Sequence, residues 1–164
     1  MRRRSILIAV LAGLAATPAA AQEIRREGAP NWPIMSSVEL PPGSRIVYIS
    51  GTVPEVADPA APQGSAQRFG DTATQTRSVL RTIETQLRAH NMTLSDVVMM
   101  RVFLVRPPGT QAMDFAGMMT GYREFFGTAA QPNRPARSTM EVAGLVDPGW
   151  LVEIEVTAAQ ATER

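Results

Sequence analysis

Two stretches of the chain place apolar or small residues at steps of three and four. In residues 71–90 the stripe consists of Ala73, Thr76, Leu80, Ile83 and Leu87. In residues 112–126 it consists of Phe115, Met118, Met119, Tyr122 and Phe126. This spacing predicts two amphipathic helices, each with one face turned toward a core. The methionine and aromatic side chains of the second stripe favour core packing over a cofactor site.

Short apolar or β-branched runs predict strands over residues 34–40, 46–49, 97–105, 137–142 and 151–158. The first two runs are separated by Pro41, Pro42 and Gly43, which predicts that they pair with each other. Residues 97–105 are almost continuously apolar, as in a strand that is buried on both faces. Residues 54–64 hold three prolines and a glycine and predict a loop.

The predicted order is strand, strand, helix, strand, helix, strand, strand, which indicates an α+β domain with both helices on one face of a sheet. The apolar content of residues 97–105 predicts that the other face is covered as well. No further helix is predicted in the chain. We therefore expect a partner subunit to cover that face.

The first 21 residues have the three regions of a signal peptide. Arg2, Arg3 and Arg4 precede an apolar stretch at residues 6–16, and the small residues Ala19 and Ala21 fit a cleavage site. The stretch is shorter than the roughly 20 residues that a membrane span needs. We expect a domain over residues 22–164, exported to the periplasm or beyond the cell and free of the membrane after cleavage. An uncleaved anchor, a misassigned start and a twin-arginine signal are the alternatives.

The composition excludes several classes of chemistry. The chain has 164 residues, 45% of them hydrophobic, which suits one domain, and it contains no Cys and a single His, His90. Cys-rich zinc sites, Cys nucleophiles and multi-His metal sites are therefore excluded. His90 falls at the end of the first predicted helix, where a cation favours the helix dipole and Asn91 caps the turn.

Every cation in the chain is an arginine, since the sequence contains no lysine. This excludes Schiff-base chemistry on the protein and leaves anion recognition to guanidinium groups. Cleavage before Gln22 leaves thirteen Arg against fifteen acids. With this negative balance and scattered arginines, we expect no nucleic-acid partner, because such binding needs a clustered cationic surface.

The C-terminal third carries the most informative motifs. Pro-Ala-Arg-Ser stands at residues 135–138, Val-Ala-Gly-Leu at 142–145 and Val-Glu-Ile-Glu at 152–155. Earlier in the chain are Ile-Ser-Gly at 49–51, Val-Pro at 53–54, Gln75 and Tyr-Arg-Glu-Phe-Phe at 122–126. From about residue 29 to 159 the chain closely resembles the RidA family, also called YjgF.

The resemblance implies a chorismate-mutase-like α+β fold, with a sheet of about six strands and two helices packed on one face. It also implies a homotrimer with clefts between subunits. The best-known activity of the family is the hydrolysis of reactive 2-imino or enamine acids to 2-keto acids and ammonia. The resemblance implies no metal and no organic cofactor, because an iminium is already electrophilic.

The resemblance also assigns roles to individual residues. The family Arg corresponds to Arg137, which would hold a small-molecule carboxylate through two parallel hydrogen bonds. The family Glu corresponds to Glu153, which would position and partly deprotonate the attacking water. The residues expected to bind substrate in the same cleft are Ser50, Gly51, Thr139 and Tyr122.

Residue chemistry alone leaves other interpretations open. Arg137 would equally suit a structural ion pair with Glu141 or Glu153. Ser50 and Gly51 are typical of a strand end. Thr139 favours a β-strand and need not have a functional role.

The chain also departs from the family pattern at two positions. Ile34 stands where active deaminases have a Tyr, and Met119 stands where they have an Asn. Both changes make the expected cleft more apolar, which raises a second hypothesis: a non-catalytic protein that binds small carboxylates. RNA cleavage, an activity attributed to some relatives, is disfavoured by the negative net charge expected after cleavage of residues 1–21.

Overall fold

The computed structural model describes residues 23–162 and contains six strands and three α-helices within that range. The strands are β1 (Arg25–Glu27), β2 (Ser37–Glu39), β3 (Arg45–Thr52), β4 (Val97–Val105), β5 (Ala136–Val142) and β6 (Val152–Gln160). The helices are α1 (Ala66–Phe69), α2 (Thr72–Arg88) and α3 (Phe115–Tyr122), and a 3-10 turn spans Leu94–Asp96. The predicted signal peptide, residues 1–21, lies outside the described residues.

The six strands form two sheets. The larger has four strands in the order β3-β6-β4-β5, in which only β4 and β5 run parallel. The smaller joins β1 and β2 in an antiparallel pair. The α+β class is thus confirmed, and the roughly six predicted strands are divided between two sheets.

The predicted pairing of residues 34–40 with 46–49 is wrong. β2 pairs with the short polar strand β1, whose sequence carries no strand pattern, and β3 pairs with β6 at the far end of the chain. Ile49 lies opposite Val156 in that ladder. The large buried surface that β6 offers to β3 decides the pairing, rather than closeness along the chain.

The two longer helices, α2 and α3, start at side-chain caps. Asp71 accepts a hydrogen bond from the backbone N–H of Thr74, which sets the start of α2. Asn91 has a φ of 56°, the left-handed conformation that ends a helix, so its predicted capping role is confirmed. Asp114 caps α3 by accepting from the N–H of Gly117. α3 is shorter than predicted because residues after Tyr122 continue as turns.

α2 and α3 pack on one face of the four-stranded sheet and form a single core with it. Along β6, Val152, Ile154 and Val156 are buried in this core. Glu153 and Glu155 alternate with them and point to the other face, which we call the open face. None of the helices within residues 23–162 combines the length and hydropathy that a membrane span requires.

The open face is partly apolar and is left uncovered by residues 23–162. It carries Ile46, Tyr48 and Met140, and Tyr48 is 76% exposed. The central strand β4 is buried only on its helix side, since Arg101 on its other side is exposed. Burial of β4 on both faces, as predicted, therefore requires a cover from outside residues 23–162.

Candidate functional site

Arg137 lies under α3, on the helix face of the sheet. In the parallel ladder it is aligned with the buried Met100, so both side chains point toward the helices. Its guanidinium carbon lies 4.3 Å from the centre of the Tyr122 ring and 5.9 Å from that of Phe115. Its Nη2 donates to the sulfur of Met119 at 3.1 Å. Cation–π contacts thus surround a charged group that is largely removed from water.

Arg137 pairs with neither of the carboxylates that the sequence offered. Glu141 instead pairs with Arg106, and Glu153 lies on the opposite face of the sheet. Nη1 of Arg137 is buried and has no hydrogen-bond partner within residues 23–162. Burial, the largest influence, lowers the pKa of Arg137 below its usual range. A buried cation without an anion is unfavourable, and a ligand carboxylate would relieve that cost.

Tyr122 holds the guanidinium in place. Its side chain is only 1% exposed, and its hydroxyl donates to the carbonyl of Pro33 at 2.9 Å. Its ring stacks on Phe126 with the ring centres 4.9 Å apart. Burial raises the pKa of Tyr122 to about 12, so the phenol stays neutral. The structure places Tyr122 as a support for Arg137, and its direct contact with a substrate stays a prediction.

Thr139 lies two residues after Arg137 and therefore points to the same face of β5. Its Oγ1 is buried and also lacks a hydrogen-bond partner among the described residues. Two unpartnered polar groups thus follow one another along the same side of one strand. Both groups therefore keep hydrogen-bonding capacity that a polar ligand could use.

One of the two departures from the family pattern lies beside Arg137. Met119 contacts the guanidinium through its sulfur. Ile34 lies between Pro33, which accepts from Tyr122, and Met35, whose N–H donates to the carbonyl of Pro135 at 2.9 Å. This segment therefore runs along the start of β5. A thioether thus stands next to Arg137, and the expected contact of Ile34 with the cleft stays a prediction.

A second group of predicted residues lies at a β-bulge in β3. Ile49 is opposite Val156 and Thr52 is opposite Ile154, so Ser50 and Gly51 together face the single residue Glu155. The carboxylate of Glu153 lies over Gly51, in the space that a Cβ at position 51 would occupy. Glycine at this position therefore lets the carboxylate rest against the bulge.

The structure thus divides the predicted site into two halves. Arg137, Thr139 and Tyr122 lie on the helix face, at the edge strand β5. Glu153 lies on the open face with Ser50 and Gly51, near the other edge of the sheet. One chain does not bring the two halves into one cleft.

Phe115 is a site residue that sequence reasoning assigned to the core. Its ring is 44% exposed and lies near the guanidinium of Arg137. The helical spacing placed it correctly on the stripe of α3, but it belongs to the first turn after the Asp114 cap, beyond the edge of the sheet. Residues 23–162 contain no group of His, Cys, Asp or Glu side chains placed to hold a metal ion.

The fold is that of an α+β protein, and its candidate site is an arginine packed against aromatic rings. The family model described as Endoribonuclease L-PSP matches residues 18–160. The chain therefore belongs to that family, which is the family of the Rid and YjgF proteins, and the resemblance found in its motifs is confirmed.

Three similar proteins illustrate the match. The 3-aminoacrylate deaminase RutC of Acinetobacter baylyi is 33% identical over 132 residues, covering 80% of this chain and 92% of RutC. The structure of TdcF of E. coli with bound serine is 29% identical with a TM-score of 0.55, covering 84% of this chain and 94% of TdcF. The structure of YyfB of Yersinia pestis, a Rid-family protein, is 26% identical with a TM-score of 0.59, covering 78% of this chain and 87% of YyfB.

Proposed function

We propose that this protein is a hydrolytic deaminase that converts reactive 2-imino or enamine acids to 2-keto acids and ammonia without a cofactor. The observation that carries the proposal is the state of Arg137, a half-buried guanidinium held on Tyr122, with its buried Nη1 unpartnered and no carboxylate paired with it among residues 23–162. Such a group is suited to take up a substrate carboxylate. The similarity to a 3-aminoacrylate deaminase supports the same reaction class.

The site is completed between neighbouring copies of the chain in a homotrimer. Arg137 of one copy supplies the carboxylate anchor, and Glu153 of the next supplies the base. The separation of these two side chains onto opposite faces of one sheet supports this arrangement. The partly apolar open face, with Tyr48 exposed, offers the surface that a neighbour covers.

The reaction balances with these two groups and one water. Arg137 fixes the carboxylate and thereby places the imine carbon. Glu153 accepts a proton from water as the water oxygen bonds to that carbon, and the proton passes to the nitrogen. The hydroxyl proton of this adduct then passes by way of Glu153 to the same nitrogen, the carbon–nitrogen bond breaks, ammonia leaves, and the oxygen becomes the keto group. An enamine substrate first takes a proton on carbon to become the imine.

The second candidate is a non-catalytic protein that binds small carboxylates. The contact between Met119 and Arg137 favours it, because a thioether stands where deaminases of the family carry an amide. A thioether is a weak acceptor and donates no hydrogen bond to water or to an imine nitrogen. This candidate keeps the role of Arg137 and drops that of Glu153.

The test measures ammonia release from a 2-imino acid that an amino-acid oxidase generates in the assay. The deaminase proposal expects a rate above spontaneous hydrolysis that depends on protein concentration and disappears in Arg137→Ala. Arg106→Ala, which removes an arginine from the exposed pair with Glu141, is the matched control and keeps the rate. Binding of 2-keto acids by calorimetry without any acceleration would establish the non-catalytic candidate instead.

A further inference from the structure

A cavity lies beside the segment that precedes β2. Its volume is about 520 Å³, within the range of small-molecule sites. Its lining includes Trp32, Arg123, Phe126, Arg134 and three prolines. We call it the Trp32 cavity. Neither Arg137 nor Thr139 contributes to its lining, so it is distinct from the site described above.

The charged side chains of the Trp32 cavity are both cations. Arg123 and Arg134 contribute guanidinium groups, and its lining contains no acidic residue. Arg123 has no carboxylate partner within residues 23–162, whereas Arg77, Arg88 and Arg101 each pair with a glutamate. Two guanidinium groups without a counter-charge create a positive potential in a concave surface, which attracts an anion.

The lining also carries an exposed indole. Trp32 is 61% exposed, although tryptophan is costly to leave in water. Its backbone is held in a turn, in which the backbone N–H of Trp32 donates to the carbonyl of Ala29 at 3.1 Å. Arg134 donates to the carbonyls of Pro30 and Trp32 and so holds this turn beside its own guanidinium.

We propose that the Trp32 cavity binds a small aromatic anion. The ring stacks on the indole of Trp32, and the anionic group pairs with the guanidinium of Arg123, beside Arg134. Three prolines in the lining restrict the backbone, so little ordering is needed when a ligand enters. An aryl phosphate and an aromatic carboxylate share this chemistry.

The stacked pair of Tyr122 and Phe126 separates the Trp32 cavity from Arg137. Phe126 lines the cavity and stacks on Tyr122, whose ring carries the guanidinium of Arg137. The Trp32 cavity and the candidate site at Arg137 therefore use different cations. Binding in the Trp32 cavity is expected to survive the loss of Arg137.

The experiment titrates the full chain with phenyl phosphate and with isophthalate by calorimetry. Inorganic phosphate controls for charge without a ring, and phenol controls for a ring without charge. The chain has two tryptophans, so fluorescence of Trp150→Phe reports on Trp32 alone and gives a second reading of the same binding. The tighter of the two aromatic anions identifies the anionic group that the cavity prefers.

We expect at least one aromatic anion to bind about tenfold more tightly than both controls, as a charge-assisted hydrogen bond would produce. Arg123→Gln should weaken that binding about tenfold, and Trp32→Ala about threefold or more. The matched control Arg88→Gln, which breaks a surface pair with Glu84, and Arg137→Ala should leave it unchanged.

Three results would overturn the proposal. The first is equal binding of phenol or phosphate, which would show that ring and charge are not recognised together. The second is full binding by Arg123→Gln, and the third is loss of binding in Arg137→Ala, which would assign the ligand to the other site.

Discussion

At the scale of single residues, the unusual feature is a half-buried arginine whose neighbours are aromatic rings and a thioether. Tyr122 and Met119 stabilise the guanidinium of Arg137, but neither neutralises it. Removing this charge from water without a paired anion lowers the stability of the folded protein. Sites that keep such groups commonly trade stability for binding.

Replacing Arg137 by Met should therefore separate stability from function. We expect the free energy of unfolding of Arg137→Met to be unchanged or up to about 2 kcal/mol higher, because an apolar side chain suits the surroundings better than an unpaired charge. Carboxylate binding should weaken by about 2–5 kcal/mol. Arg137→Lys should also bind poorly, because an ammonium cannot form the two-pronged contact.

Denaturant unfolding and calorimetry on the same protein samples measure both quantities. A large loss of stability in Arg137→Met, with the trimer disrupted, would return Arg137 to a purely structural role.

Glu153 is expected to act on turnover rather than on affinity. Glu153→Gln keeps the shape of the side chain but removes its basicity, so ammonia release should fall by about 10²- to 10⁴-fold while 2-keto acid binding persists. Glu155→Gln is the matched control, since Glu155 lies two residues later on the same face and pairs with Arg101. Equal turnover in Glu153→Gln and the unsubstituted protein would exclude a proton-transfer role for Glu153.

At the scale of elements, the packing of α2 against α3 sets the position of the anion site. Gly121 allows this close approach, because a Cβ there would lie 2.9 Å from the carbonyl oxygen of Ala73 and 2.8 Å from the Cβ of Thr76. Tyr122 is the next residue along α3. A change in the spacing between the helices would therefore displace the ring that supports Arg137.

We expect Gly121→Ala to lower the free energy of unfolding by about 1–3 kcal/mol, the usual cost of overpacking, and to weaken carboxylate binding. Ala normally stabilises a helix relative to Gly, so a loss here reports the clash with α2. Gly144→Ala is the control, since nothing lies within 4 Å of a Cβ at position 144. Increased stability of Gly121→Ala would show that the two helices separate without cost.

At the scale of the whole molecule, the proposed site depends on assembly. Light scattering of the chain without its first 21 residues should report about three times the monomer mass. Tyr48→Asp places a charge on the open face and should lower that mass and abolish ammonia release. Val146→Asp is the control, because Val146 is 92% exposed in a loop between β5 and β6. A monomeric protein with full turnover would contradict a site shared between copies.

Export is the second expectation at this scale. The Arg2–Ala21 pattern predicts that protein isolated from its native host begins at or near Gln22. Mass spectrometry of protein from the extracytoplasmic and cytoplasmic fractions tests this directly. An intact chain beginning at Met1 in the cytoplasm would show that residues 1–21 do not act as a cleaved signal.

The sequence by itself determined the features that depend on neighbouring residues. The helical spacing of Thr76, Leu80, Ile83 and Leu87 predicts the buried side of α2, and all four are fully buried. The continuous apolar run at residues 97–105 coincides with β4. The motifs around Arg137 and Glu153 were sufficient to identify the family.

Only the tertiary structure decided which strands pair and which face each functional side chain occupies. Arg45 pairs with Gln160, although most of the sequence lies between them, and no local pattern predicts that contact. The ladder between β4, β5 and β6 places Arg137 toward the helices and Glu153 away from them. Strand periodicity shows that alternate residues share a face, but the contacts made by distant residues determine which face meets the core.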